Sequence, residues 1–413
     1  MPRCARRFRT LLVFGALAAF FLIGASPPPA VRAATRGGAL PAPASAPSPT
    51  LTRGASGACV GGLDWFAARR AARGPPPEPL VAMSRAQRAA NARVLLVTSD
   101  TRPLEADWAK RTYWALAVAA NRAYARAHGY DFAFVHTFAR APAPAGLFSN
   151  ATDAACFHFG FGIWRVHNWC KILAMWAATA GAPGLYDLVV YIDSDAVIQD
   201  VGADISEAWA PRNGNVVFGP PFCAGGGGGG GGGALAGTTL AGCAADAANA
   251  SARDALFLIY SDNSPGDPAN PNLGFYVMRA APPRTRSLLR DWWDFVDAAH
   301  GHLYATYAFH EQTGMYRLMR GAWGAAVTVT DSRWAPDAEA RLVRHINSEE
   351  NRYGGPAGLR VGRFTRLLAE RGMGAAEFER EVAETLASCD AVDLDVLAVA
   401  RDIEGAREPR HKG

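Results

Sequence analysis

The sharpest change between apolar and polar positions lies near the middle of the chain. Leu188-Val-Val-Tyr-Ile192 is a short apolar run, rich in β-branched residues and too short for a helix. It predicts a strand buried on both faces. The run stops abruptly at Asp193-Ser194-Asp195. Upstream, Arg93-Val-Leu-Leu-Val-Thr98 predicts a second buried strand, ending in Ser99-Asp100-Thr101-Arg102. From Asp107 to His128 the apolar positions Trp108, Tyr113 or Trp114, Ala117, Ala120 and Tyr124 follow helical spacing, and Gly129 is a suitable stop. Asp131 to His136 predicts the next strand. This strand-helix-strand unit is the first half of a nucleotide-binding α/β layout.

Helical spacing resumes from Trp164 to Ala180 and ends at Pro183-Gly184, just before the central strand. Beyond it, strands are predicted at Asn215–Phe218, Asn272–Arg279 and Val327–Val329, with a short segment at Leu342–Ile346. Helices are predicted at Arg284–His300, with Trp292, Phe295 and Val296 inward, and at His310–Met319. Ser84 to Arg93 also reads as a helix, covering a sheet edge. From Arg363 onward the chain reads as helical and charged, with a polar tail after Glu404.

Composition narrows the classes. The chain has 413 residues, half of them hydrophobic, so a sizeable core is available. The net charge is +5, much of the Arg excess lies at the N-terminus, and nothing resembles the basic footprint of a nucleic-acid binder. Residues 1–10 carry Arg3, Arg6, Arg7 and Arg9 and precede an apolar run over 11–25, shorter than the ~20 residues of an ordinary spanning helix. Two readings remain. The run is a signal anchor with its Arg cluster cytoplasmic, which we favour. Alternatively it is a signal peptide cleaved near Val31-Arg32-Ala33. Either places the bulk of the chain in the secretory lumen or outside. Residues 26–83, rich in Ala, Pro, Gly and Ser, read as a disordered stem.

Six cysteines follow Cys4, an even number that suits disulfides in that compartment. Cys223 and Cys243 bracket a glycine tract and form the best candidate bridge. No C-x-x-C pair points to zinc. Asn150-Ala-Thr152 and Asn249-Ala-Ser251 are candidate glycosylation acceptors. The nine glycines Gly225–Gly233 have the composition of a flexible insertion; no Lys-Ser/Thr follows, so they are not a phosphate loop. No G-x-G-x-x-G follows the first strand, which disfavours a dinucleotide site.

Asp193 and Asp195 carry the candidate chemistry. Two carboxylates at the carboxyl end of a buried strand are costly to leave unpaired. Either Asp193 caps the next segment and Asp195 is solvated, or both approach one ion, for which hard oxygen donors favour Mg²⁺ or Mn²⁺. The crevice beyond the strand ends is where an open α/β sheet binds ligands.

Four blocks occur together in order: His167-Asn-Trp-Cys-Lys171-Ile172, Tyr191-Ile-Asp-Ser-Asp195-Ala196, Asn272-Leu-Gly-Phe-Tyr276 and His310-Glu-Gln312. Over roughly Arg93 to Ile346 the chain thereby resembles the GT-A-type glycosyltransferases, closest to the galactosyl/xylosyl/mannosyltransferase family of plants and fungi. It departs from that family at Glu311, where an aspartate is usual, and in its glycine insertion. The resemblance implies an α/β, Rossmann-like domain over 84–370 with a mixed, mostly parallel sheet flanked by helices. Residues 224–250 would be an insertion, and 371–413 a helical C-terminal region. It implies a type II Golgi membrane protein that takes a sugar from a nucleotide-sugar donor to a glycan or glycoprotein acceptor with retention. Mn²⁺ (or Mg²⁺) would sit on Asp193, Asp195 and His345.

Donor-binding roles follow for Thr98, Ser99, Asp100 and Arg102 beyond the first strand, though a plain turn also explains them. Asn272 and Gly274 would line the sugar pocket, with Asp193 also touching the donor. Lys171 would neutralise the diphosphate, or else sit on a solvated helix face. Glu311 and Gln312 would act in catalysis, holding the sugar or the charge at its anomeric carbon; an acid at a helix start is also simply favourable there. The alternatives are an inverting transferase on the same fold, using Glu311 or Asp262 as base, and an inactive lumenal carbohydrate-binding scaffold.

Overall fold

A computed structural model describes residues 52–53, 59–60, 65–66, 93–139, 156–181, 183–203, 205, 256–261, 271–280, 283–295, 310–319, 323–329, 343–346 and 357–406. All of them belong to one compact unit spanning 49–413. The N-terminal anchor, nearly all of the stem, the helix at 84–92, the strand at 215–218, the glycine tract, the Cys223–Cys243 bridge, both glycosylation triplets and Asp262 lie outside these residues. Among the described residues no helix is long and apolar enough to cross a membrane.

In chain order the strands are β1 (Thr52–Arg53), β2 (Cys59–Val60), β3 (Val94–Asp100), β4 (Asp131–Phe138), β5 (Cys156–His158), β6 (Ile163–Arg165), β7 (Leu188–Asp193), β8 (Ala196–Ile198), β9 (Phe257–Ser261), β10 (Pro271–Arg279), β11 (Val327–Val329), β12 (Val343–His345) and β13 (Ala391–Asp395). The helices are α1 (Tyr113–Ala127), α2 (Cys170–Ala180), α3 (Pro283–Trp293), α4 (His310–Met319), α5 (Ala357–Glu370), α6 (Ala375–Ala387) and α7 (Val396–Gly405).

The main sheet has the order β1-β2-β13-β4-β3-β7-β10-β9-β11. Strands β2, β13, β4, β3 and β7 run parallel, whereas β10 is antiparallel to both its neighbours. This is a mixed α/β architecture with a mostly parallel central sheet. Successive side chains of a strand point to opposite faces, and the core divides accordingly. Leu95, Val97, Val189, Tyr191, Tyr276 and Met278 pack into one cluster with α2, α3, α4 and α7. Val94, Leu96, Val190, Ile192, Phe275 and Val277 pack into another with α1, α5 and α6. Both faces of β3 and β7 are covered, which is why those strands read as continuous apolar runs.

The structure departs from the sequence pattern in several places. The helix expected over Arg284–His300 stops at Trp293, with Phe295 already outside it. The helix anticipated from Asp107 is broken: Trp108–Lys110 is a 3₁₀ turn, and α1 starts only at Tyr113, where the Thr112 side chain accepts from the Ala115 amide at 3.3 Å. The helix anticipated from Trp164 begins at Cys170, because Ile163–Arg165 pairs with β5 as a hairpin. A Cys156–Cys170 disulfide, with Cα atoms 5.7 Å apart, ties that hairpin to the start of α2. Finally, the C-terminal region is not all helical: β13 inserts between β2 and β4.

Candidate functional site

The acidic pair sits where the pattern placed it. Asp193 is the last residue of β7, level with Ser99 on β3, and Asp195 lies in the turn between β7 and β8. Strand β12 then pairs with β8, putting His345 opposite Ala196, and the Ile346 amide donates to the Asp195 carbonyl at 2.9 Å. A segment 150 residues downstream is thereby stitched to the acids. The His345 side chain is outside the described residues, as is that of His310.

Each acid has a cation beside it, and the cations come from opposite layers. On the α2 side, Lys171 Nζ lies 3.1 Å from Asp193 Oδ1 and 3.3 Å from Glu311 Oε1, and donates to the Leu273 carbonyl at 3.4 Å. Lys171 is thus buried rather than solvated, with a side chain 6% exposed. Burial works against its proton, but Asp193 and Glu311 more than offset this and raise its pKa. Glu311 is completely buried on the first turn of α4, and neither carboxyl oxygen makes a hydrogen bond despite the nearby ammonium. Its carbonyl accepts from Trp292 Nε1 at 2.8 Å, which anchors the start of α4 on α3. Gly314 lets α4 approach so closely: a Cβ there would lie 3.1 Å from Phe295 and 3.3 Å from Trp169.

Two phenols complete this side. Tyr191 shares a 2.9 Å hydrogen bond with Ser99 Oγ and stacks on Tyr276, ring centroids 4.9 Å apart. Burial, reinforced by Asp193, pushes both phenols well above their usual range. The Tyr276 hydroxyl and Thr98 Oγ1 are buried without a hydrogen-bond partner. Asn272 is buried on β10 and its side-chain oxygen accepts from the Gly274 amide at 2.7 Å. Phe275 pairs with Ile192, so Gly274 is the next residue toward the Asp193 end. Gln312 follows Glu311 on α4 and is partly exposed.

On the other side of the sheet, Arg360 from α5 comes within 3.9 Å of Asp195 Oδ2. Its guanidinium lies over the Tyr113 ring, 5.0 Å from the centroid. Arg102 also covers Tyr113, at 4.9 Å, and stacks on Trp114 at 3.9 Å. It is clamped by Asp100 through two 2.7 Å hydrogen bonds. Burial opposes its charge, yet the Asp100 bonds raise its pKa further. Thr98, Ser99, Asp100, Asp193, Asp195, Asn272, Gly274, Lys171 and Glu311 therefore gather at one end of the sheet. Tyr191, Tyr276 and Tyr113 were given no site role from sequence, and Arg360 was not singled out there at all. The two tyrosines on strands were visible as alternate positions facing the Lys171 helix; Arg360 carried no local signal.

The donor chemistry fits a hard divalent cation. Asp193 and Asp195 supply carboxylate oxygens at a strand end, with side chains 23% and 21% exposed, so both are accessible from solvent. Among the described residues no three His, Cys, Asp or Glu side chains gather in a metal-binding group. A third His, Cys, Asp or Glu ligand would have to come from side chains beyond those described, such as that of His345.

No family model matches the chain, and no curated protein matches it in sequence. Among solved structures, it is similar to the crystal structure of a glycosyltransferase involved in the glycosylation of the major capsid of PBCV-1. The identity is 11%, the match covers 66% of this chain and 98% of that one, and the TM-score is 0.37.

Proposed function

We propose that the chain is a glycosyltransferase that moves a sugar from a nucleoside-diphosphate sugar to a glycan or glycoprotein acceptor. The observation that carries this reading is the acidic pair at the carboxyl end of β7, flanked by buried cations and stitched to the His345 strand. In an open α/β sheet that position faces the ligand crevice. Asp193 and Asp195, with His345, would hold Mn²⁺ or Mg²⁺, which when bound supplies positive charge to a diphosphate leaving group.

The chain's own residues have distinct parts in this reading. Lys171 fixes the Asp193 carboxylate, since its ammonium lies 3.1 Å from Asp193 and 3.3 Å from Glu311 and donates to the Leu273 carbonyl. Ser99 and Asp100 lie at the end of β3, beside Asp193, where ribose and base would bind. Gly274 presents bare backbone to the sugar. Gln312, partly exposed beside the buried Glu311, is the better placed of the two to touch the sugar. A general base must reach the acceptor hydroxyl. Glu311 is buried against Lys171, which favours retention over an inverting mechanism that uses Glu311 as base. In our reading the chain is a type II Golgi protein anchored by residues 11–25, and carbonate extraction of membranes containing the full chain checks this.

The test is a donor screen on the purified protein, following nucleotide release with and without EDTA. Turnover should require a divalent ion. Asp193→Asn and Asp195→Asn should each reduce it by at least ~100-fold, the scale expected when transition-state charge loses its stabilisation. Full turnover in EDTA, or in either variant, would exclude the metal assignment. An inactive scaffold would release no nucleotide above the variants.

A further inference from the structure

We propose that Arg360 is an anion-binding residue and that its ligand is the diphosphate of the departing nucleotide. This rests on the glycosyltransferase reading and adds to it a residue with no motif around it. The cations at the site differ in how fully they are paired. Lys171 has two carboxylates and a carbonyl around its ammonium. Arg102 is clamped by Asp100 through two 2.7 Å bonds. Arg360 has neither arrangement. Its one acidic neighbour among the described residues, Asp195, stands at 3.9 Å, beyond hydrogen-bond length. Its Nε is buried and has no hydrogen-bond partner, although the side chain is only 10% exposed. A buried guanidinium with unused donors is costly unless something else accepts from it.

Three further features suit an oxyanion. Arg360 is in the first turn of α5, which begins at Ala357, and at a helix start the unpaired backbone amides and the dipole favour negative charge. Its guanidinium lies over the Tyr113 ring, 5.0 Å from the centroid, which restricts the planar group, and a planar fork matches phosphate oxygens in bidentate contact. It also adjoins Asp195, so an anion on Arg360 lies next to the residues assigned to the divalent ion, as a diphosphate bound to that ion must. The occupant is accordingly a diphosphate oxygen and not the sugar.

Calorimetry on the full chain in Mn²⁺, with UDP, GDP, CDP and ADP in turn and then the matching uncharged nucleoside, tests this. For the diphosphate that binds, Arg360→Gln should weaken affinity by ~10-fold or more, the size of a lost charge-assisted contact, and leave nucleoside affinity unchanged. Inorganic pyrophosphate should compete on the wild-type protein and lose that competition in the variant. If Arg360→Gln does not fold, Arg360→Lys carries the test. Its ammonium lacks the planar fork, so diphosphate affinity should fall several-fold. Diphosphate affinity within twofold of wild type in a folded variant, or an equal loss for nucleoside and diphosphate, overturns the assignment while leaving the enzyme reading standing. A wild-type chain that binds no nucleoside diphosphate overturns both.

Discussion

At the residue scale, the position of Lys171 decides how the acidic pair behaves. From sequence it could have been a solvated helix residue. In the structure it is enclosed, and Asp193 and Glu311 both depend on its charge. Breaking a buried pair leaves an uncompensated charge, and removing one partner costs about 3–5 kcal/mol. Lys171→Met strands two carboxyl groups at once, so it should lower unfolding free energy by at least that amount in urea titrations. Lys171→Met combined with Glu311→Gln should recover part of the loss, because one of the stranded acids is then gone. No recovery in the double variant would mean the two side chains are not coupled. Asp193, Asp195, Lys171 and Glu311 were legible as candidates because each stood in a distinctive local block. Arg360 was not, because its nearness to Asp195 arises only when α5 docks against α1.

At the element scale, the β5–β6 hairpin shows how a local pattern can mislead. Trp164, Asn168 and Trp169 fit helical spacing, but the backbone of Ile163–Arg165 is committed to Cys156–His158. What holds the hairpin down is a buried polar cluster. His158 is fully buried and stacks on Trp293, and its Nε2 is 3.1 Å from Asp294. Glu404 of α7 lies 3.5 Å from His158 Nδ1 and accepts from the Phe159 and Gly160 amides. Arg165 is sandwiched between Trp169 and Trp293, donates to the Trp293 carbonyl, and is lowered by burial to about 9. Burial, aided by Arg165, also lowers the His158 pKa below 6.5, against the opposing pull of Asp294 and Glu404. Well above pH 6.5 the imidazole is neutral whether the chain is folded or not. As pH falls through that value the unfolded chain takes the proton first, so stability drops until the folded-state pKa is reached. The urea midpoint should therefore decrease between pH 7 and pH 5, and His158→Gln should flatten that dependence. An unchanged slope in the variant would mean His158 does not contribute.

At the scale of the whole molecule, a late segment of the chain is part of the central sheet. Strand β13 lies between β2 and β4, pairing Ala391–Asp395 with Phe134–Phe138. The following helix buries Val396, Val399, Ala400 and Ile403, and its Asp402 and Glu404 accept from Trp176 and Trp293. Burying aliphatic side chains of that number is worth on the order of 5–8 kcal/mol, comparable to the ~5–15 kcal/mol net stability of an entire domain. Deleting 391–413 should thus abolish cooperative unfolding, as read by circular dichroism in urea, even though every candidate site residue is retained. A truncated chain that still unfolds cooperatively would show the sheet to be complete without β13.

Hydrophobic period alone determined β3, β4, β7 and β10, because strands covered on both faces must be apolar throughout and leave an unmistakable run. It likewise located the two acids at the end of β7, since a carboxylate pair directly after such a run has no apolar explanation. Tertiary structure alone decided the rest: the sheet order, the entry of β13, the enclosure of Lys171 and Glu311, and the pairing of Arg360 with Tyr113 and Asp195. Those features join segments up to several hundred residues apart. Short strands such as Ala391–Asp395 have too few positions to show a period, and a buried charge is recognisable only by the neighbours that folding brings to it.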